Sequence, residues 1–377
     1  MSFDHFLTTL LNLDHDSSPG IPYCYKYQTI GDFLGHSDTK FLKNSENIRS
    51  LYQRVLQIPT LKFSDLHPYR LFIKDEPHSQ KKISSNRFRL IANLSLDMQV
   101  FQQMLFSTQN NREVANFKKL PFFVGFGPYG GGYKNIPTKG KFLCADKTAW
   151  DWTVHEWHLK AELAFRRKCC VTRGPLFNRW KKLAIFAYRA MFGPGNCVFQ
   201  LSNGVRFRQT SGGIMKSGSV LTLPTNTHLQ LLIHIMACQK LDVPIPRMIS
   251  VGDDTSMELL PDFPVEAYLK ATESLGCIVK EHKILENENE FCGMLFNERG
   301  NVEPLYQEKH LVKILSEPKQ HILKGMTRDY ATMYQKSTSP MKNVFGNLLS
   351  KHQPEVDPRD LLLVFEGKHN NTNIILA

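Results

Sequence analysis

Residues 248–258 read Met-Ile-Ser-Val-Gly-Asp-Asp-Thr-Ser-Met-Glu. Apolar residues lie on both sides of an acidic turn, so the sequence predicts a β-hairpin over 247–259 with Gly252-Asp253-Asp254 at its tip. Glycine allows the backbone to bend, whereas two adjacent carboxylates repel each other unless a cation or solvent offsets their charge. The stretch is therefore either an ordinary hairpin turn, in which these residue types are common, or part of a cation site.

A third carboxylate follows another predicted strand. Residues 141–145 (Lys-Phe-Leu-Cys-Ala) predict a short buried strand that Asp146 ends. Aspartates at strand ends and in tight turns suit Mg²⁺, which prefers oxygen ligands. Asp151 follows five residues later. An aspartate in this region can also cap a helix that starts near Val154, and this alternative suits Asp151 better than Asp146.

A long helix is predicted between these two acidic segments. Residues 219–240 are apolar almost all round, which is typical of a buried helix, and Ser217-Gly218 is expected to open it. Thr222 and Asn226 are four residues apart and therefore share a face. Polar side chains on such a helix need partners, either a sugar hydroxyl or groups inside the protein.

The predicted elements occur in the order strand, helix, long helix, hairpin, helix. This order indicates an α+β fold with a small antiparallel sheet backed by helices. Hydrophobic residues make up 42% of the 377 residues, which is enough for a substantial core. The other predicted elements are a strand, basic loop and strand over 70–95, helices over 154–170 and 264–276, and helices with loops over 305–350.

The chain is basic, with 47 lysines and arginines against 35 acidic residues and a net charge of +12. Such proteins favour polyanions, either nucleic acid or an anionic membrane. The positive charge is concentrated in residues 70–91 and 160–189, and Glu162 is the sole acid of the second stretch. That stretch is compatible either with phosphate contacts or with ordinary surface charge.

Several other patterns argue against alternative kinds of site. The eight cysteines include no Cys-x-x-Cys pair, so they predict free thiols in a reducing cytosol rather than a zinc site. The first residues lack a secretory signal pattern, and the apolar stretch near Leu229–Cys238 is too short to cross a bilayer.

Two further motifs resemble those of other enzyme classes. Gly125–Gly130 matches the dinucleotide-binding pattern Gly-x-Gly-x-x-Gly but does not open a helix, so we expect a fingers loop. His155 and His158 are wrongly spaced for a zinc protease helix.

Three motifs together carry a family resemblance. Asp146-x4-Asp151, Ser217-Gly-x3-Thr-x3-Asn226 and Gly252-Asp-Asp254, in this order, resemble the palm motifs of the RNA-dependent RNA polymerases of positive-strand RNA viruses. Each motif alone is weak, and the ordered set is specific. The amino-acid sequences of residues 74–78 and 146–152 most resemble those of the sobemovirus-like (solemovirus) branch.

Further segments extend the resemblance from residue 17 to about residue 296. Residues 72–91 resemble the basic motif of the nucleotide entry tunnel, and Ser17–Tyr23 resembles the motif at the template entrance. Phe291–Phe296 falls where the primer-grip hairpin belongs. Sixteen residues precede Ser17, so the chain is expected to be either a compact polymerase or one without part of the fingertip.

The resemblance implies a right-hand polymerase fold with fingers, palm and thumb. It implies template-directed RNA synthesis from NTPs by two-metal-ion nucleotidyl transfer, with Mg²⁺ as cofactor and Mn²⁺ as a substitute. The implied domains are fingers over 1–140, palm over 141–160, a fingers insertion over 161–208, palm over 209–296 and thumb over 297–377.

The resemblance also assigns roles to individual residues. Asp146 and Asp253 would bind both metal ions, with Asp254 as a secondary ligand. Asp151 and Asn226, with Thr222 on the same helix, would recognise the ribose 2′-hydroxyl, and Ser217 and Gly218 would position template and nucleotide. Lys74, Lys82 and Arg89 would neutralise the triphosphate. Lys283 would protonate the leaving pyrophosphate, with Lys280 as its rival.

The expected partners are template RNA, nascent RNA and NTPs, extending to a viral protein primer and other replication proteins. The expected location is the host cytoplasm, including membrane-associated replication complexes reached through partners. Two alternatives are a reverse transcriptase-like polymerase and a non-catalytic RNA-binding replication protein. The intact aspartates argue against the second, and the Ser217–Asn226 motif argues against the first.

Overall fold

A computed structural model describes residues 1–35 and 43–368 of the chain. Residues 36–42 and 369–377, which belong to the predicted fingers and thumb, lie outside the described residues. Within the described residues, the chain forms two compact units. The first unit comprises Met1–Lys74, Lys82–Glu113 and Ala149–Leu229, and the second comprises Asp75–Lys81, Val114–Thr148 and Gln230–Ala377.

The described residues contain helices and strands in mixed order. None of the helices in the described ranges is both long and apolar enough to cross a membrane. The helices are α1 (Phe3–Leu11), α2 (Ile30–Leu34), α3 (Ser45–Gln57), α4 (Gln80–Ser84), α5 (Leu96–Ala115), α6 (Trp150–Thr153), α7 (Glu156–Cys169), α8 (Gly174–Phe192), α9 (Thr222–Leu241), α10 (Val265–Ser274), α11 (Gln307–Ser316), α12 (Gln320–Met333), α13 (Met341–His352) and α14 (Pro358–Glu366). The strands are β1 (Tyr69–Ile73), β2 (Leu90–Asn93), β3 (Lys141–Lys147), β4 (Val198–Gln200), β5 (Arg206–Arg208), β6 (Met248–Val251), β7 (Asp254–Glu258), β8 (Val279–Glu286), β9 (Glu288–Phe291), β10 (Met294–Asn297) and β11 (Val302–Pro304).

The first unit contains a four-stranded sheet with the order β2-β1-β4-β5. β1 and β2 are antiparallel, with Arg70 opposite Asn93 and Ile73 opposite Leu90, whereas β1 and β4 are parallel. The two strands predicted within residues 70–95 are therefore confirmed. The segment between them is not entirely a loop, because it contains the short helix α4.

The second unit contains an antiparallel sheet with the order β6-β7-β3-β8. Val251 pairs with Asp254 at the turn between β6 and β7, which confirms the hairpin predicted over 247–259. Leu143, Met248 and Met257 of this sheet pack with residues of α9 and α10. This packing confirms the predicted antiparallel sheet backed by helices. The buried residues that α9 and α10 contribute are Ala237, Cys238, Tyr268 and Ala271.

Strand β3 is two residues longer than the sequence predicts. Pairing with β8 continues past Ala145, because Asp146 lies opposite Glu281 and Lys147 opposite Val279. Asp146 is therefore part of the strand and does not follow its end. The register shifts between Asp146 and Lys147, which is the irregularity expected of a bulge.

Helix α9 begins at Thr222, later than the predicted start at residues 217–219. Gly218 has a φ of 130°, which is far from helical values. A Cβ atom at Gly218 would lie 2.8 Å from the carbonyl oxygen of Ala92. The Ser217-Gly218 segment is therefore a tight turn before the helix, and glycine is required there by both the dihedral angle and the close approach.

A second hairpin, formed by β9 and β10, turns at Cys292-Gly293. This turn lies inside Phe291–Phe296, for which the family resemblance implied a hairpin. The helices predicted over 305–350 correspond to α11, α12 and α13. Their buried side chains form one hydrophobic cluster with α14: Ile314, Ala331, Tyr334, Phe345, Leu349 and Leu361.

Candidate active site

Three aspartates gather near the β6–β7 turn of the second unit. The register that pairs Ala145 with Thr255 puts Asp146 beside Asp254 on the neighbouring strand. Asp253 occupies the turn next to Gly252, whose φ of 62° is in the left-handed region that favours glycine. Asp146 and Asp254 line the same cavity, which has a volume of about 420 Å³.

Asp254 carries the clearest electrostatic signal of this cluster. Burial, followed by the nearby charge of Asp253, raises the pKa of the Asp254 carboxyl to about 6, although Lys147 opposes the shift. Burial also lowers the pKa of Lys147, whose ammonium donates hydrogen bonds to the Ala145 carbonyl at 3.0 Å and to the Thr255 hydroxyl. The carboxylates therefore repel one another more than this buried lysine compensates.

The structure distinguishes the contacts of the two candidate lysines. Lys280 Nζ lies 3.2 Å from Asp146 Oδ2 and 3.3 Å from Glu281 Oε1. Lys283 Nζ instead lies 2.6 Å from Glu290 Oε2. The hydrogen bonds to these carboxylates raise the pKa of both lysines. Both line the 420 Å³ cavity, but Lys280 is paired with Asp146, whereas Lys283 is paired with Glu290.

The donor chemistry of the cluster fits a divalent cation. Mg²⁺ and Mn²⁺ take oxygen ligands. Burial and then the charge of Asp253 raise the pKa of Asp254, and a bound cation offsets both effects by favouring the charged carboxylate. Over the described ranges, no three His, Cys, Asp or Glu side chains are already arranged to hold a metal ion. The carboxylate of Asp146 is directed to Lys280 instead, so cation binding would require that ion pair to open.

The first unit brings together three of the predicted ribose and loop residues. Asp151 lies in α6 and accepts a hydrogen bond from the Ser217 hydroxyl through Oδ2. Its other oxygen, Oδ1, accepts a hydrogen bond of 2.9 Å from Asn226 Nδ2. Asn226 Oδ1 is buried and has no hydrogen-bond partner among the described residues. An unpaired buried acceptor is costly, so this oxygen is suited to receive a donor from a ligand.

Thr222 has an internal partner, which is one of the two alternatives that the sequence left open. Its hydroxyl donates to the carbonyl oxygen of Lys216 at 2.7 Å. The Ser217 carbonyl accepts a hydrogen bond from the Ala92 amide at 2.9 Å, which fixes the turn against β2. Thr222 therefore holds the turn before α9, and Asn226 presents the open acceptor.

The three basic residues assigned to the triphosphate lie on the β1–β2 segment of the first unit. Lys74 and Arg89 are neighbours across the two strands, because the Lys74 amide donates to the Arg89 carbonyl at 2.8 Å. Lys82 lies in α4, and the side chains of Lys82 and Arg89 are exposed. Exposed cations on adjacent backbone are suited to phosphate contacts.

The first unit contains a buried charge network that none of the sequence motifs predicts. Arg166 Nε donates to Glu162 Oε1 at 2.5 Å. The His228 ring lies 2.9 Å from Glu162 and 3.0 Å from Glu113. The exposure of Glu162 and Arg166 is 0%, and that of His228 is 1%. The signal in the sequence was Glu162 itself, the single acid of residues 160–189, four residues before an arginine.

The network is electrically balanced when His228 is protonated. Burial disfavours the charge of Glu162, but Arg166 and His228 outweigh burial and lower its pKa to about 2. Burial likewise opposes the charge of His228, and hydrogen bonds to Glu113 and Glu162 raise its pKa. Thr225, next to Asn226 in the chain, donates to Glu162 at 3.3 Å. The network therefore braces the turn of α9 that carries Asn226.

The pattern His155-Glu-Trp-His158 has a structural role. His158 is buried, and its Nδ1 accepts a hydrogen bond of 2.9 Å from the His155 amide at the start of α7.

The segment with Gly125 and Gly130 does not open an α-helix, since a short 3₁₀ turn from Gly132 to Asn135 follows it. Tyr129 and Phe126 of this segment pack in a hydrophobic cluster with Phe291.

Comparisons with known proteins point to one family. The model of a family described as viral RNA-dependent RNA polymerase matches residues 5–343. The replicase polyprotein P2AB of Cocksfoot mottle virus is 31% identical over 266 residues, which cover 67% of this chain and 26% of the polyprotein. The replicase polyprotein P2AB of Southern cowpea mosaic virus is 26% identical over 364 residues, covering 89% of this chain and 36% of the polyprotein.

A third relative, protein P1-P2 of Potato leafroll virus, is 27% identical over 340 residues, covering 81% of this chain and 29% of that protein. The chain thus spans roughly a quarter to a third of the length of these relatives. Among solved structures, the Sicinivirus 3Dpol RNA dependent RNA polymerase has a TM-score of 0.71 at 14% identity, covering 94% of this chain and 78% of that one. This likeness confirms the predicted polymerase fold.

Proposed function

This chain belongs to the viral RNA-dependent RNA polymerase family, and we propose that it synthesises RNA from NTPs on an RNA template during viral genome replication. The observation that carries the proposal is the register of β3 against β7, which sets Asp146 beside Asp254 in one cavity. Adjacent carboxylates on neighbouring strands are a suitable cation site for nucleotidyl transfer.

The proposed metal ligands are Asp146 and Asp253, with Asp254 as a secondary ligand, and the proposed cation is Mg²⁺ with Mn²⁺ as a substitute. Divalent cations bound by these carboxylates would neutralise the charge that develops on the phosphoryl oxygens. The raised pKa of Asp254 supports this assignment, since burial and then the neighbouring carboxylates disfavour its charge, and a bound cation would offset both. Lys74, Lys82 and Arg89 would add positive charge around the triphosphate.

Asp151 and Asn226 would select the ribose. Asp151 Oδ1 fixes the side-chain amide of Asn226, so that Asn226 Oδ1 remains available to accept a hydrogen bond from the 2′-hydroxyl. A dNTP has no hydroxyl to offer, and the buried acceptor would stay unpaired. Ser217 holds the second oxygen of Asp151, and Gly218 allows the turn that brings Ser217 there.

Lys283 is the proposed acid for the leaving pyrophosphate, and Lys280 is its alternative. The contacts support different tasks for the two residues. Lys280 Nζ lies 3.2 Å from Asp146 and is suited to balance the charge of that carboxylate. Lys283 is bound to Glu290, which keeps its ammonium protonated and able to donate a proton.

We propose that the partners are template RNA, nascent RNA, NTPs, a viral protein primer and other replication proteins. The proposed location is the host cytoplasm, at membrane-associated replication complexes that the chain reaches through such partners. The net charge of +12 supports RNA binding.

Primer extension on an RNA template tests the activity. With Mg²⁺ the wild-type protein should incorporate NTPs and strongly disfavour dNTPs, and chelation should abolish incorporation. Equal use of dNTPs would support a reverse transcriptase-like enzyme instead. RNA binding without any incorporation would support the non-catalytic alternative and overturn the proposal.

A further inference from the structure

A groove runs between α7 and α8 in the first unit, away from the residues assigned to metal or nucleotide. It has a volume of about 320 Å³ and is open to solvent. Leu159 and Leu163 of α7 and Ile185 and Phe192 of α8 line it with aliphatic and aromatic surface. This volume is at the lower end of the range for ligand pockets, about 300–1,000 Å³, so the groove can receive a few apolar side chains.

Cations surround the apolar lining. Lys160, Arg167 and Arg189 contribute to the walls, and the only acid among the lining residues is Glu156. Glu156 is already paired with Lys160 at 2.9 Å. In the part of the chain that the structure describes, Arg167 Nε is buried without a hydrogen-bond partner. Guanidinium groups form paired hydrogen bonds with carboxylates, so Arg167 and Arg189 in the walls favour an acidic partner.

The helices that form the groove also carry the basic stretch 160–189, which the proposed function leaves without a role. Glu162, its single acid, is fully buried against Arg166 and contributes no negative charge to the surface. Lys168, Arg173, Arg179 and Lys182 are exposed on α7, α8 and the loop between them.

The combination of an apolar floor and a cationic rim favours one class of partner. Single-stranded RNA binds through exposed aromatic faces that stack on bases, beside a row of cations. The two aromatic residues that line this groove, Tyr188 and Phe192, are buried and offer little face for stacking. An amphipathic helix matches it better, since aliphatic side chains at i, i+3 or i+4, and i+7 can enter a groove between two helices. Carboxylates beside those side chains would meet the rim.

We propose that the α7–α8 groove is a docking site for an acidic amphipathic helix of a partner protein. Aliphatic side chains of the partner would cover Leu163 and Ile185, and its carboxylates would bind Arg167 and Arg189. The site does not depend on nucleotidyl transfer, because none of its lining residues is assigned to the metal, the nucleotide or the ribose. Binding should weaken with salt, since the rim charges are largely exposed.

The experiment uses the full chain and a fluorescent designed peptide of about 18 residues, long enough for an amphipathic helix, with leucines at helical spacing and flanking glutamates. A matched peptide carries lysine at every glutamate position. Fluorescence anisotropy should detect the acidic peptide and not the basic one. Ala164→Glu, which adds a negative charge to the exposed wall of the groove, and Arg167→Gln should each weaken binding by about tenfold, a typical effect of removing or opposing one charged contact.

Two control variants lie on the same helices outside the groove. Lys168→Gln removes an exposed cation from α7, and Leu176→Ala removes an exposed leucine from α8. Both should bind the acidic peptide within about twofold of wild type, as expected for surface sites that the peptide does not contact. All four variants should melt close to wild type, because each of these side chains is at least partly exposed.

Three results would overturn the proposal. The first is equal binding of the acidic and basic peptides. The second is loss of binding in Leu176→Ala as large as in Ala164→Glu. The third is an RNA oligonucleotide that depends on Arg167 while the acidic peptide does not, which would make the groove an RNA site. Primer extension by the same variants separates this question from the proposed function, since docking predicts unchanged extension.

Discussion

Asn226 donates a hydrogen bond from its side-chain amide to Asp151 Oδ1 at 2.9 Å. The bond joins α9 to α6, and it determines which end of the Asn226 amide remains open. With the nitrogen committed to Asp151, the oxygen is a buried acceptor without a partner among the described residues. Such an arrangement favours a ligand that brings a hydroxyl donor.

Replacing Asn226 should therefore impair sugar selection more than catalysis. In Asn226→Ala, we expect the ratio of kcat/KM for NTP over dNTP to fall by about tenfold to a hundredfold, the effect of one or two lost hydrogen bonds. Steady-state primer extension with each nucleotide measures this ratio. Gln239→Ala, an exposed polar position on the same helix, is the control. An unchanged ratio in Asn226→Ala would remove Asn226 from ribose recognition.

Asp253→Ala should abolish RNA synthesis and leave RNA binding nearly intact. The carboxylate is proposed to hold both cations, so its loss removes the charge that positions them. Filter binding and primer extension on the same preparations separate the two properties. Glu266→Ala removes an exposed acid from α10 of the same unit and should behave as wild type. Substantial synthesis by Asp253→Ala would refute the assigned metal role.

Substitutions of the two lysines near the aspartates should alter different kinetic quantities. Lys283→Ala should lower kcat by about a hundredfold, the lower range for loss of a general acid. Lys280→Ala should chiefly lower the Mg²⁺ concentration needed for half-maximal rate, because a cation that competes for Asp146 is gone. Mg²⁺ titrations at saturating NTP measure both effects. If Lys280→Ala shows the large loss of kcat instead, then Lys280 is the acid.

Two glutamates on α7 form comparable i,i+4 pairs at opposite extremes of burial. Glu162 pairs with Arg166 at 0% exposure of both side chains, whereas Glu156 and Lys160 are 44% and 72% exposed. Glu162→Gln should lower the free energy of unfolding by about 3–5 kcal/mol, since it leaves a buried arginine without the carboxylate that balances its charge. Glu156→Gln should cost about 0.5 kcal/mol or less. Denaturant titration compares them, and equal losses would contradict the buried network.

His228 should make stability depend on pH. Its folded-state pKa is raised above 6.5 by Glu113 and Glu162 despite burial. A raised pKa means that the stabilisation is complete below about pH 6.5, the unfolded value, and is lost as the pH rises through the folded value. The Tm of wild type should fall over that interval, and His228→Gln should flatten the dependence. His321→Gln, an exposed histidine on α12, should keep the wild-type profile.

The sequence identified most of the local elements near the candidate site but misplaced two boundaries. Hairpin 247–259 and the strand before Asp146 were predictable, because alternating apolar residues and turn residues act over a few positions. Helix α9 starts at Thr222 because the Gly218 backbone approaches Ala92, a contact between segments more than a hundred residues apart. Strand β3 continues through Asp146 because β8 pairs with it. Both corrections arise from distant neighbours that no local pattern contains.

The sequence by itself determined the order and spacing of the acidic, glycine and asparagine motifs, and with them the family and the α+β class. These features depend only on the order and spacing of residues along the chain. Only the tertiary structure decided which lysine meets Asp146, that Thr222 is bonded internally, and that Glu162, Arg166 and His228 share one buried network. Lys280 and Asp146 are 134 residues apart, and Glu162 and His228 are 66 apart. Partners at such separations are selected by strand register and helix packing, because an ionic contact depends on distance in space rather than on spacing along the chain.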